Sequence, residues 1–273
     1  MSLAEAKSPG AVAQLALFLA RKGRRVWRLT VTGKHRVTPR LLRVEFHGAD
    51  LDELVWKRGQ DLVLELPCGD GAIARRHYTI RALDAAARTL TIDFVLHGAL
   101  PGKVEAGLPS GSATRHNHSS PAGDWVRSVQ PGDSIAAAGP RGHTYIREAD
   151  WHLFIGDETC IPGIFAMIEG LPRGEKAFAF LEIADDGERQ APAGDAQVTW
   201  LSRGGAPAGP GPILYDAVEG FAFPQGRGHA YVIGETGNVR AIRQRLIARG
   251  LGKDQTSAEG YWRPGRIGGH DHA

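Results

Sequence analysis

The chain has few cysteines, and they do not stand in a paired spacing. Cys68 and Cys160 are the two cysteines among 273 residues, which excludes a disulfide framework and a zinc site built on cysteine pairs. A chain without structural disulfides is typical of a reducing compartment, so we expect a cytoplasmic protein.

Long hydrophobic runs are also missing. The longest apolar stretch near the start, residues 11–20 with Gln14 inside it, is too short to span a bilayer, and no convincing cleavage site follows. No transmembrane segment is expected. We interpret residues 1–24 as an N-terminal extension whose short amphipathic helix packs on the body of the protein; a peripheral membrane contact is the alternative.

Basic tracts are absent, although the chain is mildly basic. The net charge is +3 and the pI is about 9.0, but lysine and arginine are not concentrated as they are in nucleic-acid binders. We therefore expect no nucleic-acid partner. A small anionic ligand or an acidic electron-transfer partner suits such a modest excess.

Turn-forming residues divide the first half of the chain into short alternating segments. The 36 glycines and 16 prolines favour many turns, and residues 32–34 are one predicted loop. This rhythm predicts an antiparallel barrel or sandwich. The predicted strands are 26–31, 41–46, 62–66, 77–81, 90–96 and 134–138.

After Trp151 the pattern changes to apolar strands that alternate with helical segments, which is typical of a parallel sheet. We place a domain boundary near residue 148 and expect a cleft between the two domains. The predicted strands are 152–155, 177–183, 198–201 and 230–233; the predicted helices are 163–169 and 239–248.

The run Arg-His-Tyr-Thr-Ile-Arg at 76–81 is the most informative segment. In a strand, Arg76, Tyr78 and Ile80 would share one face. A guanidinium can pair with phosphate oxygens and an aromatic ring can cover a second ring system, so this strand suits a bound flavin. Arginine and tyrosine on an exposed strand without any ligand are the alternative.

Several further motifs follow this run in order. Together they resemble the siderophore-interacting protein family of flavin reductases, from about residue 25 to the C-terminus. The motifs are Asp-Phe-Val-Leu-His-Gly at 93–98, Pro-Ala-Gly-Asp-Trp at 121–125, Gly-Pro-Arg-Gly at 139–142, Gly-Asp-Glu-Thr-Cys-Ile-Pro at 156–162, Gly-Glu at 234–235 and Gly-Tyr-Trp-Arg at 260–263.

The resemblance implies a fold of two domains. Residues 25–148 would form an antiparallel Greek-key β-barrel that binds FAD, and residues 149–273 an α/β domain with a parallel sheet that binds NADH or NADPH and carries the C-terminal tail. Residues 99–120 look like a loop inserted into the first domain. His116 and His118 in that loop lack a third ligand nearby, so we expect no metal site.

The resemblance also implies the FAD contacts. Arg76 would neutralise the pyrophosphate and Thr79 would tune the flavin ring through a hydrogen bond. The family usually has serine where this chain has Gly123, so one hydroxyl contact is lost there. The residues expected at the FAD site are Arg76, His77, Tyr78, Thr79, Asp93, Val95, His97, Ala122, Gly123 and Trp125.

Gly156, Thr159, Gly234 and Glu235 are the residues expected to contact the nicotinamide nucleotide. The turn at 156–162 follows an apolar strand and precedes a helical pattern, which is a place where a helix N-terminus can receive an anion. The turn lacks a full Gly-x-Gly-x-x-Gly pattern and carries two carboxylates, so plain helix capping is the alternative. The choice between NADH and NADPH stays open.

Ferric siderophores are commonly anionic, and the basic residues Lys57, Arg141 and Arg263 are the candidates to bind one; surface ion pairs are the alternative for each. The function implied is reduction of Fe(III) in a ferric siderophore by a FAD enzyme that takes electrons from NAD(P)H. The alternatives are a flavin reductase with a ferredoxin-like or quinone partner, and a binding module without turnover. No side chain is required as acid or base.

Overall fold

The computed structural model describes residues 25–68, 71–96, 120–192 and 194–265. Predictions for residues 1–24, His97, His116, His118 and the C-terminal tail from 266 lie outside the described residues. The described strands form two sheets.

The first sheet is antiparallel, with the strand order β4-β3-β7-β1-β2-β6-β5. Three hairpins pair consecutive strands, while β7 returns across the sheet to lie between β3 and β1, which gives a Greek-key connection. The strands are β1 Val26–Thr38, β2 Leu41–His47, β3 Asp61–Pro67, β4 Ile73–Thr79, β5 Ala82–Asp84, β6 Thr89–Val95 and β7 Ser134–Arg141.

This sheet curls until its two ends meet. Tyr78 on β4 contacts Phe94 on β6 with ring centroids 4.3 Å apart. Helix α1, Pro121–Ser128, packs on the same cluster through Trp125, whose ring lies 5.5 Å from Phe94. Alternate side chains of each strand point inward, and burial of each large apolar side chain contributes about 2 kcal/mol.

The predicted loop at residues 32–34 is wrong. Residues 32–34 lie inside β1, whose pairing with β2 shifts by one residue between Val31 and Gly33. This bulge lets the strand continue through a glycine that otherwise signals a turn. The first half of β1 pairs with β7 and the second half with β2, so its length follows from having two different neighbours.

The second sheet is parallel, with the order β10-β9-β8-β11-β12, and confirms the predicted fold class. Every residue of β8 and β11 is buried, as expected for central strands covered on both faces. The elements are β8 Trp151–Asp157, α2 Ile161–Ile168, β9 Lys176–Ile183, β10 Ala196–Ser202, α3 Ile213–Glu219, β11 Gly228–Glu235, α4 Thr236–Ala248 and β12 Thr256–Trp262.

The strand order of this sheet reverses between β8 and β11. In open parallel sheets, ligands bind outside the carboxyl ends of the strands at such a switch point. Gly156 and Gly234 lie at these two ends, and Gly156 is paired with Ile233. The domain boundary near residue 148 stays a prediction; β7 ends at Arg141 and β8 begins at Trp151.

His229 on β11 gives the fold a dependence on pH. Its ring is buried and bonds Ser257 Oγ at 2.9 Å. Burial, together with the nearby charge of Arg147, lowers the pKa of His229 from 6.5 to about 4. Between these values the unfolded chain binds a proton that the folded chain refuses, so the free energy of unfolding decreases as the pH falls.

When the pH falls from 7 to 4.5, the free energy of unfolding should decrease in the wild type and in His229→Gln. We expect the decrease in His229→Gln to be smaller than that in the wild type by about 2 kcal/mol. Urea denaturation at both pH values measures the difference. His35→Gln removes an exposed imidazole on β1 and should behave as the wild type. Equal losses in the His229→Gln variant and the wild type would show that His229 does not carry this dependence.

Candidate functional site

One face of β4 carries the expected aromatic and cationic pair. Ile80, just beyond the strand, is fully buried, and Tyr78 is half-buried against Phe94. Burial raises the pKa of the Tyr78 phenol, so the ring stays neutral. Tyr78 therefore forms a fixed apolar wall beside Arg76.

Arg75 and Arg76 are neighbours with different environments. The Arg75 guanidinium donates to Glu65 Oε1 at 2.8 Å. Arg76 donates to the carbonyl of Arg75 at 2.8 Å, and within the described residues no carboxylate forms an ion pair with it. A guanidinium without a counter-charge beside an aromatic wall suits a phosphate group.

The opposite face of β4 lies where the two sheets meet. His77 Nδ1 lies 2.5 Å from Asp61 Oδ2. The Thr79 side chain is 8% exposed, and its hydroxyl lies 3.5 Å from the Tyr261 hydroxyl on β12. Thr79 also packs against Gly163 of α2. The hydroxyl predicted to tune the flavin is thus at the junction of the barrel and the parallel sheet.

The side chain of Asp93 is committed to the barrel. Its two oxygens accept from Arg43 at 2.7 Å each, and this bond raises the pKa of Arg43. The Asp93 side chain, predicted to lie at the FAD site, is therefore occupied within the barrel. Val95, two residues further, lines a small cavity with Leu41 of β2, Glu158 of the turn after β8 and Ile161 at the start of α2.

Helix α1 has a hydroxyl at its start despite the glycine at 123. Ser120 is the N-cap residue, and its Oγ accepts from Gly123 N at 3.0 Å. A Cβ at position 123 would lie 2.8 Å from that Oγ and 3.2 Å from Arg127 Nη1. The Ser120 hydroxyl thus lies close to the place where a side chain at position 123 would begin. Ala122 and Trp125 are buried and pack on the barrel core.

Asp157 joins the ends of three strands of the parallel sheet. This buried carboxylate accepts from Thr159 N at 2.9 Å, Thr159 Oγ1 at 2.5 Å, Glu235 N at 2.8 Å and Trp262 Nε1 at 2.9 Å. Burial and the neighbouring Glu158 raise the pKa of Asp157 despite these donors. Thr159 is turned toward Asp157 and does not cap α2, whose N-cap residue is Cys160.

Two of the predicted nucleotide residues have clear local roles. Gly234 has φ +133, and a Cβ there would lie 2.5 Å from Asp157 Oδ2. Glu235 is the N-cap of α4 and accepts from Asn238 N at 2.8 Å. Both residues keep the backbone at the switch point close-packed.

A cationic surface lies beside the junction, and sequence reasoning found half of it. Lys57 Nζ lies 4.3 Å from the centroid of the Tyr145 ring, and the Arg147 guanidinium lies 4.0 Å from the same ring. The loop that carries Lys57 is tied to the end of β4, because Ile80 N donates to Gln60 O at 3.0 Å. Tyr145 and Arg147 were missed, since nothing in the connecting segment after β7 signals their pairing with Lys57.

The other two predicted substrate residues, Arg141 and Arg263, lie at the ends of two different strands. Arg141 ends β7 and is half-buried; Arg263 is exposed directly after β12.

Across the described ranges, no helix is long and apolar enough to cross a bilayer. The same ranges contain no group of three His, Cys, Asp or Glu side chains placed to hold a metal.

An antiparallel barrel followed by a parallel sheet with a switch point, with Thr79 of the barrel against Tyr261 of the parallel sheet, is the architecture of a two-domain flavin reductase. Residues 64–144 match the family model of the siderophore-interacting FAD-binding domain, and residues 149–265 match that of the siderophore-interacting protein. The chain is 30% identical over 258 residues to the ferric vibriobactin reductase ViuB of Vibrio cholerae, covering 85% of this chain and 88% of that protein. It belongs to the siderophore-interacting protein family.

Solved structures agree with this assignment. The crystal structure of a siderophore utilization protein from T. fusca is 34% identical, with a TM-score of 0.75 over 90% of this chain and 96% of that chain. The Amycolatopsis cytochrome P450 reductase GcoB is 18% identical, with a TM-score of 0.61 over 85% of this chain and 68% of that chain. GcoB shares the fold alone.

We expect Gly156→Ala to destabilise the protein by about 1–3 kcal/mol, because a Cβ there would collide with Cys160 Sγ and the Ile233 carbonyl. Gly209→Ala is the matched control, since a Cβ at 209 meets nothing within 4 Å. Urea denaturation of both variants measures the effect. An unchanged free energy of unfolding in Gly156→Ala would contradict the close approach of β8 and β11.

Proposed function

We propose that this chain is a FAD-dependent NAD(P)H oxidoreductase that reduces Fe(III) in ferric siderophores and so releases Fe(II). The observation that carries the proposal is the junction at which the Thr79 hydroxyl, at the end of β4, lies 3.5 Å from the Tyr261 hydroxyl of β12, while the Thr79 side chain packs against Gly163 of α2. Electron transfer from a nicotinamide to a flavin requires the two ring systems to meet, and this junction borders both binding elements.

The residues present fit FAD. Arg76 offers a guanidinium without a carboxylate partner in the described chain, Tyr78 offers an aromatic wall on the same strand face, and Ser120 places a hydroxyl at the start of α1. We assign the pyrophosphate to Arg76 and the start of α1, and the ring system to Tyr78 and Thr79. FAD, when bound, supplies the redox chemistry between a two-electron donor and a one-electron acceptor.

The nucleotide binds, in this proposal, at the switch point. Gly156 and Gly234 let the two central strands end close together, and the turn that leads into α2 presents backbone amides there. The side chains of Thr159 and Glu235 hold Asp157 and α4 respectively. The amides of Thr159 and Glu235 also donate to Asp157, so we assign the nucleotide to the edge formed by Gly156 and Gly234 and not to the side chains or amides of these two residues.

The ferric siderophore binds, we propose, at the cationic surface formed by Lys57, Tyr145 and Arg147. The Tyr145 ring holds both cations in place, and Arg147 Nη1 also donates to Tyr145 Oη at 3.0 Å. Oriented cations attract an anionic complex and fix its position beside the acceptor edge of the site. Arg141 and Arg263 are further candidates for this role, at the ends of β7 and β12.

Two further aspects belong to the same proposal. The thiols of Cys68 and Cys160 are both unlinked, which supports a reducing, cytoplasmic setting.

A ferredoxin-like protein or a quinone is the competing partner, and it would use the same exposed edge. The cation pair on Tyr145 favours a compact anionic ligand.

The first test concerns FAD binding. Arg76→Ala should raise the Kd for FAD by about tenfold to a hundredfold, since a bidentate contact to phosphate is lost. Arg75→Ala is the matched control, because it removes the same charge one residue away on the opposite face of β4, where Arg75 bonds Glu65. Flavin fluorescence titration measures both constants. Equal constants for the two variants would count against the placement of the pyrophosphate.

The second test concerns the reaction. Under anaerobic conditions, NADH or NADPH should bleach the bound flavin. A ferric hydroxamate or catecholate should then restore the flavin absorbance and give a ferrous signal above that of free flavin. Arg147→Ala should raise KM for the siderophore about tenfold and leave flavin reduction unchanged. Arg245→Ala removes a cation on α4 that pairs with Glu219 of α3, and it should change neither the KM for the siderophore nor flavin reduction. A ferrous signal no higher than the free-flavin control refutes the proposed function.

A further inference from the structure

Arg203 follows β10 directly, and almost all of its hydrogen-bonding capacity is used inside the protein. Its Nη1 and Nη2 donate to the two oxygens of Glu158 at 2.8 and 2.6 Å, Nη1 donates to Glu182 Oε1 at 3.0 Å, and Nε donates to the carbonyl of Ala206 at 3.2 Å. The Arg203 side chain is 6% exposed. This guanidinium is a fixed structural element.

The three charged residues lie at the ligand edge of the parallel sheet. Glu158 follows β8, Glu182 is near the end of β9, and Arg203 follows β10. The Arg203 amide also donates to Ile183 O at 2.9 Å, which fixes the end of β10 against β9. Glu158 lines the small cavity at the nucleotide turn, so the Arg203 guanidinium lies one side chain away from it.

An arginine at this edge is the group that accommodates the 2′-phosphate of NADPH in nucleotide-binding α/β folds, whereas a carboxylate there accepts from the 2′-hydroxyl of NADH. In this chain the arginine is already neutralised by two carboxylates. A phosphate dianion that approached it would have to displace Glu158 and would meet Glu182 and Asp185 on the neighbouring strand end. A ribose diol would find acceptors in the same place.

The strength of this arrangement is visible in the pKa values. Burial opposes the charge on Arg203, but the bonds to Glu158 and Glu182 outweigh burial and raise its pKa. Burial likewise raises the pKa of Glu182, and the bond to Arg203 opposes that change. Each charge is retained because the other is present, so removal of one carboxylate leaves Arg203 paired with the other carboxylate alone and releases one side of its guanidinium.

We propose that the Glu158–Arg203–Glu182 cluster makes this protein select NADH over NADPH, because it withdraws the arginine that a 2′-phosphate would need. The inference rests on the proposed function and names its electron donor. Arg203 is the specificity-determining residue of the cluster. Glu158 keeps its guanidinium paired, so that the guanidinium is withheld from a phosphate.

Binding of 5′-AMP and of 2′,5′-ADP to the full-length protein, measured by calorimetry at fixed ionic strength, tests the inference without any turnover. The wild type should bind 2′,5′-ADP at least tenfold more weakly than 5′-AMP. Glu158→Gln should reduce the ratio of the Kd for 2′,5′-ADP to the Kd for 5′-AMP about tenfold, since it releases one side of the guanidinium. The double variant Glu158→Gln with Arg203→Ala should return this ratio to the wild-type value, because the released arginine is what binds the phosphate.

Asp186→Asn is the matched control. It also removes one carboxylate near the end of β9, but Asp186 is 70% exposed and pairs with Arg189 on its own turn. The nucleotide ratio of this variant should equal that of the wild type. Glu182→Gln supplies a second release of Arg203 and should act in the same direction as Glu158→Gln, so a folding defect in one variant leaves the other to decide.

The outcomes separate the inference from the proposed function. Binding of 2′,5′-ADP by the wild type as tightly as 5′-AMP overturns the inference, and so does an equal shift in Glu158→Gln and Asp186→Asn. In either case rapid anaerobic bleaching of the flavin by NADPH would leave the proposed reductase activity standing. If neither nucleotide binds and neither NADH nor NADPH bleaches the flavin, both the inference and the proposed function fail.

Discussion

The buried carboxylate of Asp157 is the interaction on which the candidate nucleotide site depends. Desolvation of a carboxylate is expensive, and here it is offset by donors from the turn after β8, from the start of α4 and from the indole of Trp262. These donors come from three strand ends that are distant in the sequence. Their convergence on one carboxylate keeps the switch point of the sheet in a single geometry.

The second constraint is the joint between the barrel and the parallel sheet. Arg81, just after β4, forms a bidentate pair with Glu169 at the end of α2, and Thr38 of β1 donates to Glu188 after β9. Thr79 also meets Tyr261 at this joint. Because these side chains are mostly buried, the contact between the barrel and the parallel sheet is built into the fold and does not require a partner to form.

The sequence predicts the parts of this structure that depend on local pattern, and misses those that depend on distant pairing. Apolar alternation predicts the central strands and the two-sheet architecture, but β12 is half-buried and polar, and α3 follows a Gly/Pro loop, so neither was predicted. The face shared by Arg76 and Tyr78 follows from strand periodicity. The two carboxylates after β8 were read as obstacles to phosphate, whereas one is turned inward by four donors and the other is paired with Arg203. Thr159 is a local partner, but Glu235, Trp262 and Arg203 lie tens of residues away, where no periodicity reaches.

The central claim is that a flavin bound on β4 meets a nucleotide bound at the switch point, at the junction where Thr79 contacts Tyr261 of β12. A crystal structure of the FAD-loaded protein tests this most directly. The account predicts the FAD pyrophosphate within hydrogen-bond distance of Arg76 and the start of α1, with the ring system against Tyr78 and one edge at Thr79. A flavin bound away from β4, or with its phosphates far from Arg76, would contradict it.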